Sequence, residues 1–109
     1  AALVAECRSL CFPASVDSVP TNNDQEDHVS MGPGAGHKAL QIAKHAHYVL
    51  AIELLVAAQA VDMVKLKTSA KLEKVKAEIR KVAKYLDNDR FINPDIEAVH
   101  HLVKAGGLV

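Results

Sequence analysis

The chain has 109 residues, the length of one small domain, and its net charge is zero because thirteen basic side chains balance thirteen acidic ones. Half of the residues are hydrophobic and 24% are charged, which is typical of a globular protein and excludes a disordered chain. No basic surface is available to attract a nucleic acid or an anionic membrane, so we expect neither partner.

The spacing of cysteines and histidines excludes the common metal sites. Cys7 and Cys11 are the two cysteines of the sequence, and no second pair completes a zinc site. His45 and His47 are two positions apart and would face different sides of a helix. We therefore expect no metal, reduced thiols and a cytoplasmic protein. The start at Ala1, with no methionine and no signal-peptide pattern, is compatible with a chain that begins partway through a larger polypeptide.

Residues 1–37 contain two kinds of sequence. Residues 1–11 predict a short helix. Residues 12–37 hold three prolines, three glycines and several Asn and Asp residues, which favour turns and irregular backbone. A long irregular segment in a helical chain is more often functional than not. Its glycine-rich end, residues 32–36, lacks the preceding strand and the Lys-Ser/Thr of a phosphate-binding loop, so we expect a flexible lead into the next helix.

The stretch from Lys38 to about Val64 contains no Gly or Pro and predicts a long helix. Its second half, residues 49–61, is apolar nearly all round except at Glu53 and Gln59. This half is shorter than the roughly 20 apolar residues that span a bilayer, so we expect a helix buried on every side of a multi-helix assembly. Because the rest of the chain cannot enclose it, we expect its neighbours to lie on further copies or on another polypeptide. These neighbouring helices would also bond to the two polar side chains, and a functional role for Glu53 and Gln59 stays open beside this structural one.

Two shorter helices follow. Residues 65–69 form a connector in which Thr68 or Ser69 provides an N-cap. Residues 70–86 carry apolar side chains at helical spacing, which predicts a helix that ends at the polar residues 87–89.

The last helix has clear start and stop signals. Asn93 is the expected N-cap, Pro94 occupies the first helical position, acidic residues follow in the first turn, and Gly106 and Gly107 come after the end. No convincing strand alternation is present, so the predicted fold class is all-α.

An unusual polar run lies just upstream of the long helix. Five consecutive positions are Asp24, Gln25, Glu26, Asp27 and His28. Neighbouring carboxylates repel one another unless a cation, a helix N-terminus or a substrate compensates. From these residues alone two interpretations stay open. The run is either a capped helix start, with the first aspartate as N-cap and the next three residues in the first turn, or a site that binds a ligand.

The wider sequence around this run resembles the histidine ammonia-lyases, a branch of the aromatic amino acid ammonia-lyase family. The resemblance rests on SVDSVPT (residues 15–21), QEDHVSM (residues 25–31), VLAIELLVAAQAVD (residues 49–62) and DRFINPDIEA (residues 89–98), and so covers nearly the whole chain. Relatives that act on phenylalanine or tyrosine usually place a Gln-Asp pair where this chain has Glu-Asp-His.

The resemblance implies a lyase of histidine degradation that removes ammonia from L-histidine and leaves trans-urocanate. It implies a homotetramer or hetero-oligomer whose active sites draw on several subunits, and the C-terminal segment of a long helical bundle preceded by an irregular active-site loop. It also implies the electrophilic ring MIO (4-methylidene-imidazol-5-one), which forms from an internal Ala-Ser-Gly. No Ala-Ser-Gly occurs here, so we expect the ring on an N-terminal remainder of the enzyme.

The same resemblance assigns the site residues. Glu26 matches the family's glutamate beside the substrate side chain, where a carboxylate can bond to the imidazole N–H, so it is the expected catalytic and substrate-binding residue. Gln25 and His28 are further substrate-binding candidates, and a structural role for His28 stays open. Residues 1–37 and 38–109 are then two parts of one larger catalytic domain.

Two rival functions stay open. One is a tyrosine or phenylalanine ammonia-lyase or aminomutase of the same family, against which the carboxylate of Glu26 argues. The other is a non-catalytic helical subunit that lacks MIO, which the missing Ala-Ser-Gly favours.

Overall fold

The computed structural model describes residues 1–65, 67–106 and 108. Over these residues it contains four helices and no β-strand: α1 (Ala2–Leu10), α2 (Gly32–Val64), α3 (Ala70–Val82) and α4 (Asn93–Lys104). The all-α prediction is confirmed. The chain divides into two compact units, residues 1–46 and residues 47–109, and the boundary between them falls inside α2. The functional division at residue 37 stays a prediction.

The long helix begins six residues earlier than the sequence predicts. α2 starts at Gly32, so the glycine-rich residues 32–36 are helical and the expectation of a flexible lead is wrong. The Oγ of Ser30 accepts from the N–H of Gly32 at 3.3 Å, and the carbonyl of Met31 accepts from the N–H of Ala35 at 3.2 Å. Pro33 is tolerated because a helix leaves its first N–H groups without intrahelical partners.

Within this chain, α2 buries one face rather than every side. Ala51, Leu55 and Ala58 are its buried residues. The large apolar side chains that remain exposed along the helix are Leu40, Val49, Leu50, Ile52, Val56, Met63 and Val64. So many exposed large apolar side chains on one helix are uncommon in soluble monomers and are typical of an interface. The expectation that further helices cover α2 therefore stays a prediction with structural support.

By length and composition alone, α2 could also cross a membrane. The apolar stretch of residues 49–61 alone is too short to span a bilayer, but the continuous helix has 33 residues. The core helix of a soluble protein meets the same criterion. The absence of a membrane partner therefore stays a prediction.

The buried core lies in the unit of residues 47–109. Ile79 is 2% exposed and Val99 is fully buried, and both pack in one cluster with the buried residues of α2 and with Ala83. Small side chains on α2 leave room for the larger ones of α3 and α4, as close packing requires. This cluster is the hydrophobic core of that unit.

The third helix starts as predicted and ends early. Ser69 is the N-cap, and its Oγ accepts from the N–H of Leu72 at 3.4 Å. α3 ends at Val82 rather than at residue 86, because Ala83 already has extended backbone (φ −133°, ψ 110°). The connector is confirmed around Ser69, and its Leu66 lies outside the described residues.

A tertiary hydrogen bond accounts for the early end of α3. Gln59 of α2 donates to the carbonyl of Leu86 at 3.0 Å and accepts from its N–H at 3.1 Å. The backbone of Leu86 is thereby paired outside a helix. The expectation that Gln59 bonds to helices of other chains is wrong, since its partners lie in this chain. Glu53 is exposed, and the same expectation for it stays a prediction.

The last helix agrees with its sequence signals to within one residue. Ile92 is the N-cap and Asn93 is the first helical residue, a shift within the ordinary uncertainty of helix ends. Pro94 lies in the first turn as predicted. After the end, Gly106 has φ +69°, the left-handed conformation that glycine adopts without strain. Gly107 lies outside the described residues.

A network of charged groups joins the end of α2 to α3. Asp62 accepts from Arg80 Nε at 2.8 Å and lies 3.1 Å from Lys76 Nζ, and the hydrogen bond from Arg80 lowers the pKa of its carboxyl. Glu73 accepts from the N–H and the hydroxyl of Thr68, both at 2.9 Å. These bonds, the backbone one above all, lower the pKa of Glu73 to about 2.

Candidate functional site

The irregular segment between α1 and α2 folds back on itself in a tight turn. The N–H of Thr21 donates to the carbonyl of Glu26 at 2.8 Å, and the N–H of Glu26 donates to the carbonyl of Thr21 at 3.2 Å. The two residues thus form an isolated antiparallel β-bridge. Inside it, the N–H of Gln25 donates to the carbonyl of Asn22 at 3.2 Å. The polar run is therefore the tip and return of a turn.

This geometry rules out the helix start that the residues alone left open. Asn22, Asn23 and Asp24 all have left-handed backbone, with φ of 52°, 56° and 63°. L-residues avoid this region, and Asn and Asp tolerate it better than other residues do. Of the two interpretations, the one in which Asp24 caps a helix whose first turn holds the next three residues is therefore wrong. The sequence Asn-Asn-Asp suits a left-handed turn instead.

A second pair of hydrogen bonds closes the base of the same turn. The N–H of Val29 donates to Ser18 Oγ at 2.8 Å, and that hydroxyl donates to the carbonyl of Val29 at 3.1 Å. Ser18 lies three residues before Thr21, and Val29 lies three residues after Glu26. Both pairs therefore share one antiparallel register, so residues 18–29 behave as a short hairpin-like loop.

Helices α1 and α2 hold the two ends of this loop. Lys38 Nζ donates to the carbonyl of Phe12 at 2.6 Å. Glu6 accepts from Gln41 at 3.3 Å and lies 3.3 Å from His45 Nε2. The chain therefore leaves α1 and enters α2 at points that are tied together, which restricts the positions the loop can take.

The side chain of Glu26 is exposed and is held from one side. Its Oε2 accepts from the hydroxyl of Thr21 at 3.2 Å. Beside it, Gln25 Oε1 accepts from Asn22 Nδ2 at 3.0 Å. Because the whole acidic run is exposed, water and salt screen the repulsion between neighbouring carboxylates. A ligand is therefore not needed to make this run tolerable.

A polar cleft of about 460 Å3 lies along the base of the loop. Asp17, Ser18, Asp27 and His28 contribute polar groups to its wall. Of the three predicted site residues, His28 lines this cleft, whereas Gln25 and Glu26 belong to the turn. The structure thus places the three on one loop without bringing their side chains to a common point.

Sequence reasoning missed two residues of this loop. Thr21 bonds to Glu26 and Ser18 bonds to Val29, each across the turn. In the sequence the two residues are distinguished only by their hydroxyl side chains. That pairing depends on the left-handed turn between them. A polar run with Asn-Asn at its start is the one signal that could have suggested such a turn.

A separate polar cluster lies in the unit of residues 47–109. The hydroxyl of Tyr48 donates to both carboxylate oxygens of Glu97, at 3.1 and 2.9 Å, and this bond raises the pKa of Tyr48. The ring of His100 stacks on Tyr48 with 3.9 Å between ring centroids. These contacts join α2 to α4.

Over the part of the chain that the structure describes, no three His, Cys, Asp or Glu side chains are placed to hold a metal ion. The expectation of no metal stays a prediction, and the chemistry available in the loop is that of carboxylates, hydroxyls and one imidazole.

Comparison with known proteins agrees on one family. The sequence profile of aromatic amino acid lyases matches residues 1–81. The histidine ammonia-lyase of Mus musculus is 51% identical over 104 residues, which are 94% of this chain and 16% of that enzyme. The chain thus spans about one sixth of the length of this curated relative.

Solved structures give the same result at the level of the fold. The crystal structure of histidine ammonia-lyase from Trypanosoma cruzi superposes with a TM-score of 0.93 at 42% identity, over 98% of this chain and 21% of that one. The ergothioneine-degrading enzyme ergothionase from Treponema denticola superposes with a TM-score of 0.88 at 32% identity, over 99% of this chain and 22% of that one. With this sequence match and this agreement of fold, the chain belongs to the aromatic amino acid lyase family.

Proposed function

We propose that this chain is the part of a histidine ammonia-lyase that presents Glu26 to the substrate. The enzyme would convert L-histidine to trans-urocanate and ammonia: the bond from carbon to the amino nitrogen breaks, a proton leaves the neighbouring carbon, and a double bond forms between the two carbons. Two relatives named histidine ammonia-lyase, 51% and 49% identical to this chain, support this proposal. Since the chain spans 16% of the mouse enzyme, the activity would belong to the larger assembly.

The exposed carboxylate of Glu26 is the main structural support for this proposal. Its carboxylate stands on an exposed turn, and Thr21 engages one of its two oxygens. A carboxylate accepts a hydrogen bond from an imidazole N–H and stabilises the protonated ring. A neutral amide at the same position would lose the charge that favours a basic ring. Glu26 would thus bind and orient the substrate side chain, with His28 in the neighbouring cleft as a second polar contact.

We also propose that MIO is supplied by another segment. The 109 residues contain no Ala-Ser-Gly, so the residues of this chain do not fit the formation of the ring. The part that this chain plays is to bind the imidazole and to exclude wrong side chains. The N-terminal remainder that carries Ala-Ser-Gly is then an obligatory partner.

An oligomeric, cytoplasmic enzyme is part of the same proposal. The exposed apolar side chains of α2 need partner helices in water, which a homotetramer or a hetero-oligomer would provide. Cys7 and Cys11 are free, which suits a reducing compartment. The balanced charge of the chain offers no surface for nucleic acid.

A hybrid enzyme tests the proposal. Here the chain replaces the 104 residues that it matches in the mouse histidine ammonia-lyase, and a second hybrid carries residues 12–37 alone. We expect both to form urocanate, which is followed by its ultraviolet absorbance, and we expect Glu26→Gln to lower kcat/KM for histidine by about 100-fold, the scale of losing a preorganised electrostatic group.

The controls separate failure of the fold from failure of the function. Elution volume and circular dichroism should match those of the mouse enzyme. A hybrid that folds normally and forms no urocanate would contradict the proposal and favour the non-catalytic helical subunit. Turnover of tyrosine or phenylalanine in place of histidine would favour the rival lyase or aminomutase, and turnover of ergothioneine would place the chain nearer the Treponema denticola enzyme.

A further inference from the structure

The turn that carries Glu26 is held by more than its backbone. Thr21 and Glu26 exchange both backbone hydrogen bonds, at 2.8 and 3.2 Å, and in addition the Thr21 hydroxyl donates to Glu26 Oε2 at 3.2 Å. One residue therefore binds the main chain and the side chain of the residue opposite it. Backbone bonds alone would set the position of the Glu26 Cα and leave its carboxylate free to rotate.

The other oxygen of the carboxylate is left for a ligand. Over the described residues, Glu26 Oε1 accepts no hydrogen bond, and the side chain is exposed. A carboxylate has several lone pairs, so a donor on Oε2 does not prevent a second donor from approaching Oε1. The arrangement fixes one end of the group and opens the other.

The base of the loop keeps this arrangement in register. Ser18 accepts from the N–H of Val29 at 2.8 Å and donates to its carbonyl at 3.1 Å. Because these two residues continue the pairing of Thr21 with Glu26, a slip of the turn would break both sets of bonds at once. The left-handed backbone of Asn22, Asn23 and Asp24 is kept in place by the same pairs.

We propose that Thr21 is a positioning residue, whose hydroxyl holds the carboxylate of Glu26 so that Oε1 meets the imidazole N–H of the substrate. The inference rests on the proposed function. A free glutamate side chain loses rotamer freedom when it binds a ligand, and a hydroxyl that already restrains it removes part of that loss. Groups that orient a ligand-binding side chain act in this way at metal sites too.

The test uses four versions of the hybrid enzyme: Thr21→Val, Thr21→Ser, Glu26→Gln and the double variant Thr21→Val/Glu26→Gln. Valine keeps the shape and the backbone bonds of threonine and removes the hydroxyl, whereas serine keeps the hydroxyl. We expect Thr21→Val to lower kcat/KM for histidine about tenfold, the scale of one hydrogen bond to a charged group. We expect Thr21→Ser to stay within about twofold of the parent.

The double variant decides whether the hydroxyl acts through Glu26. In the Glu26→Gln background, adding Thr21→Val should change kcat/KM less than about twofold, because coupled residues give non-additive effects. An equal loss in both backgrounds would mean that Thr21 serves the fold of the loop, and it would overturn the inference. A loss in Thr21→Ser as large as that in Thr21→Val would overturn it as well.

The outcomes also separate this inference from the proposed function. If Glu26→Gln leaves kcat/KM unchanged, the assignment of Glu26 fails and the role of Thr21 fails with it. If Glu26→Gln lowers kcat/KM and Thr21→Val does not, the inference alone is wrong. Thermal unfolding of each variant checks the fold, and Thr21→Ala is the second hydroxyl-free variant should valine lower the melting temperature.

Discussion

Gln59 satisfies both backbone polar groups of Leu86, with its Nε2 donating to the carbonyl at 3.0 Å and its Oε1 accepting from the N–H at 3.1 Å. The same Oε1 accepts from Arg80 Nη2 at 3.3 Å. The side-chain amide of Gln59 thus pairs the backbone N–H and carbonyl of Leu86, which another turn of α3 would otherwise have paired. The polar interruption of an apolar helix is explained by this bond.

Replacing Gln59 by Met should therefore destabilise the fold. The change leaves a partly buried N–H and carbonyl without partners, which costs about 1–3 kcal/mol. Chemical denaturation monitored by circular dichroism measures the loss. Glu53→Met on the exposed side of the same helix is the matched control and should change the free energy of unfolding by less than about 0.5 kcal/mol. An equal loss in the free energy of unfolding for the two variants would contradict a stabilising role of the Gln59 amide.

Acid should weaken the contacts of Glu73. Its folded pKa of about 2 lies below the ordinary 4.5 because the ionised form accepts from Thr68 and pairs with Lys76. The stabilisation is therefore fully present above pH 4.5 and is lost as the pH falls towards about 2. We expect the melting temperatures of the parent and of Glu73→Gln to differ at pH 7 and to converge in that window.

The control for the acid experiment is Glu78→Gln. Glu78 pairs with Lys81 on the exposed side of α3, and exposed pairs of this kind contribute little. Its melting temperature should follow that of the parent at every pH. If Glu73→Gln differs from the parent by the same amount at pH 7 and at pH 2, the contacts of Glu73 do not depend on its charge.

Truncation of Ile79 should be the most damaging change in α3. Its side chain is 2% exposed in the centre of the core, and removing a buried isoleucine side chain down to Ala costs about 2–5 kcal/mol. Val82→Ala, at a position that is 42% exposed, is the control and should cost less than half as much. The free energy of unfolding from denaturant titration compares them, and similar values would contradict the placement of the core.

His28 and Gln25 should respond differently to substitution in the hybrid enzyme. His28 lines the polar cleft, so we expect His28→Ala to raise KM for histidine about tenfold, the effect of losing one polar contact. The side chain of Gln25 is bonded to Asn22 within the turn, so Gln25→Ala should change KM less than about threefold. Steady-state kinetics decides, and a larger effect at Gln25 would reverse the two roles.

Much of the helical layout could be predicted from local sequence. The caps and breakers at Ser69, Pro94 and Gly106 lie at or near the ends of the helices that they predict, because capping acts over three or four residues of chain. One error occurred where this reach ends: α3 stops at Val82, and the backbone of Leu86 pairs with the distant Gln59, a contact that local propensity does not include. The early start of α2 at Gly32 involves only the nearby Ser30 and Met31, and it was missed because Gly and Pro favour turns as well as the first turn of a helix.

The candidate site shows the same limit more sharply. The resemblance of the surrounding sequence to histidine ammonia-lyases predicted Glu26 as a site residue, and the chemistry of a carboxylate follows from its residue type. The sequence by itself thus determined the all-α class, most helix ends, the family and the glutamate whose role remains a prediction. Only the tertiary structure decided that Thr21 lies opposite Glu26. Asn and Asp tolerate the left-handed backbone of the turn between them, but the register of the pair also depends on the bond from Val29 to Ser18, which joins residues eleven apart and which local propensities do not specify.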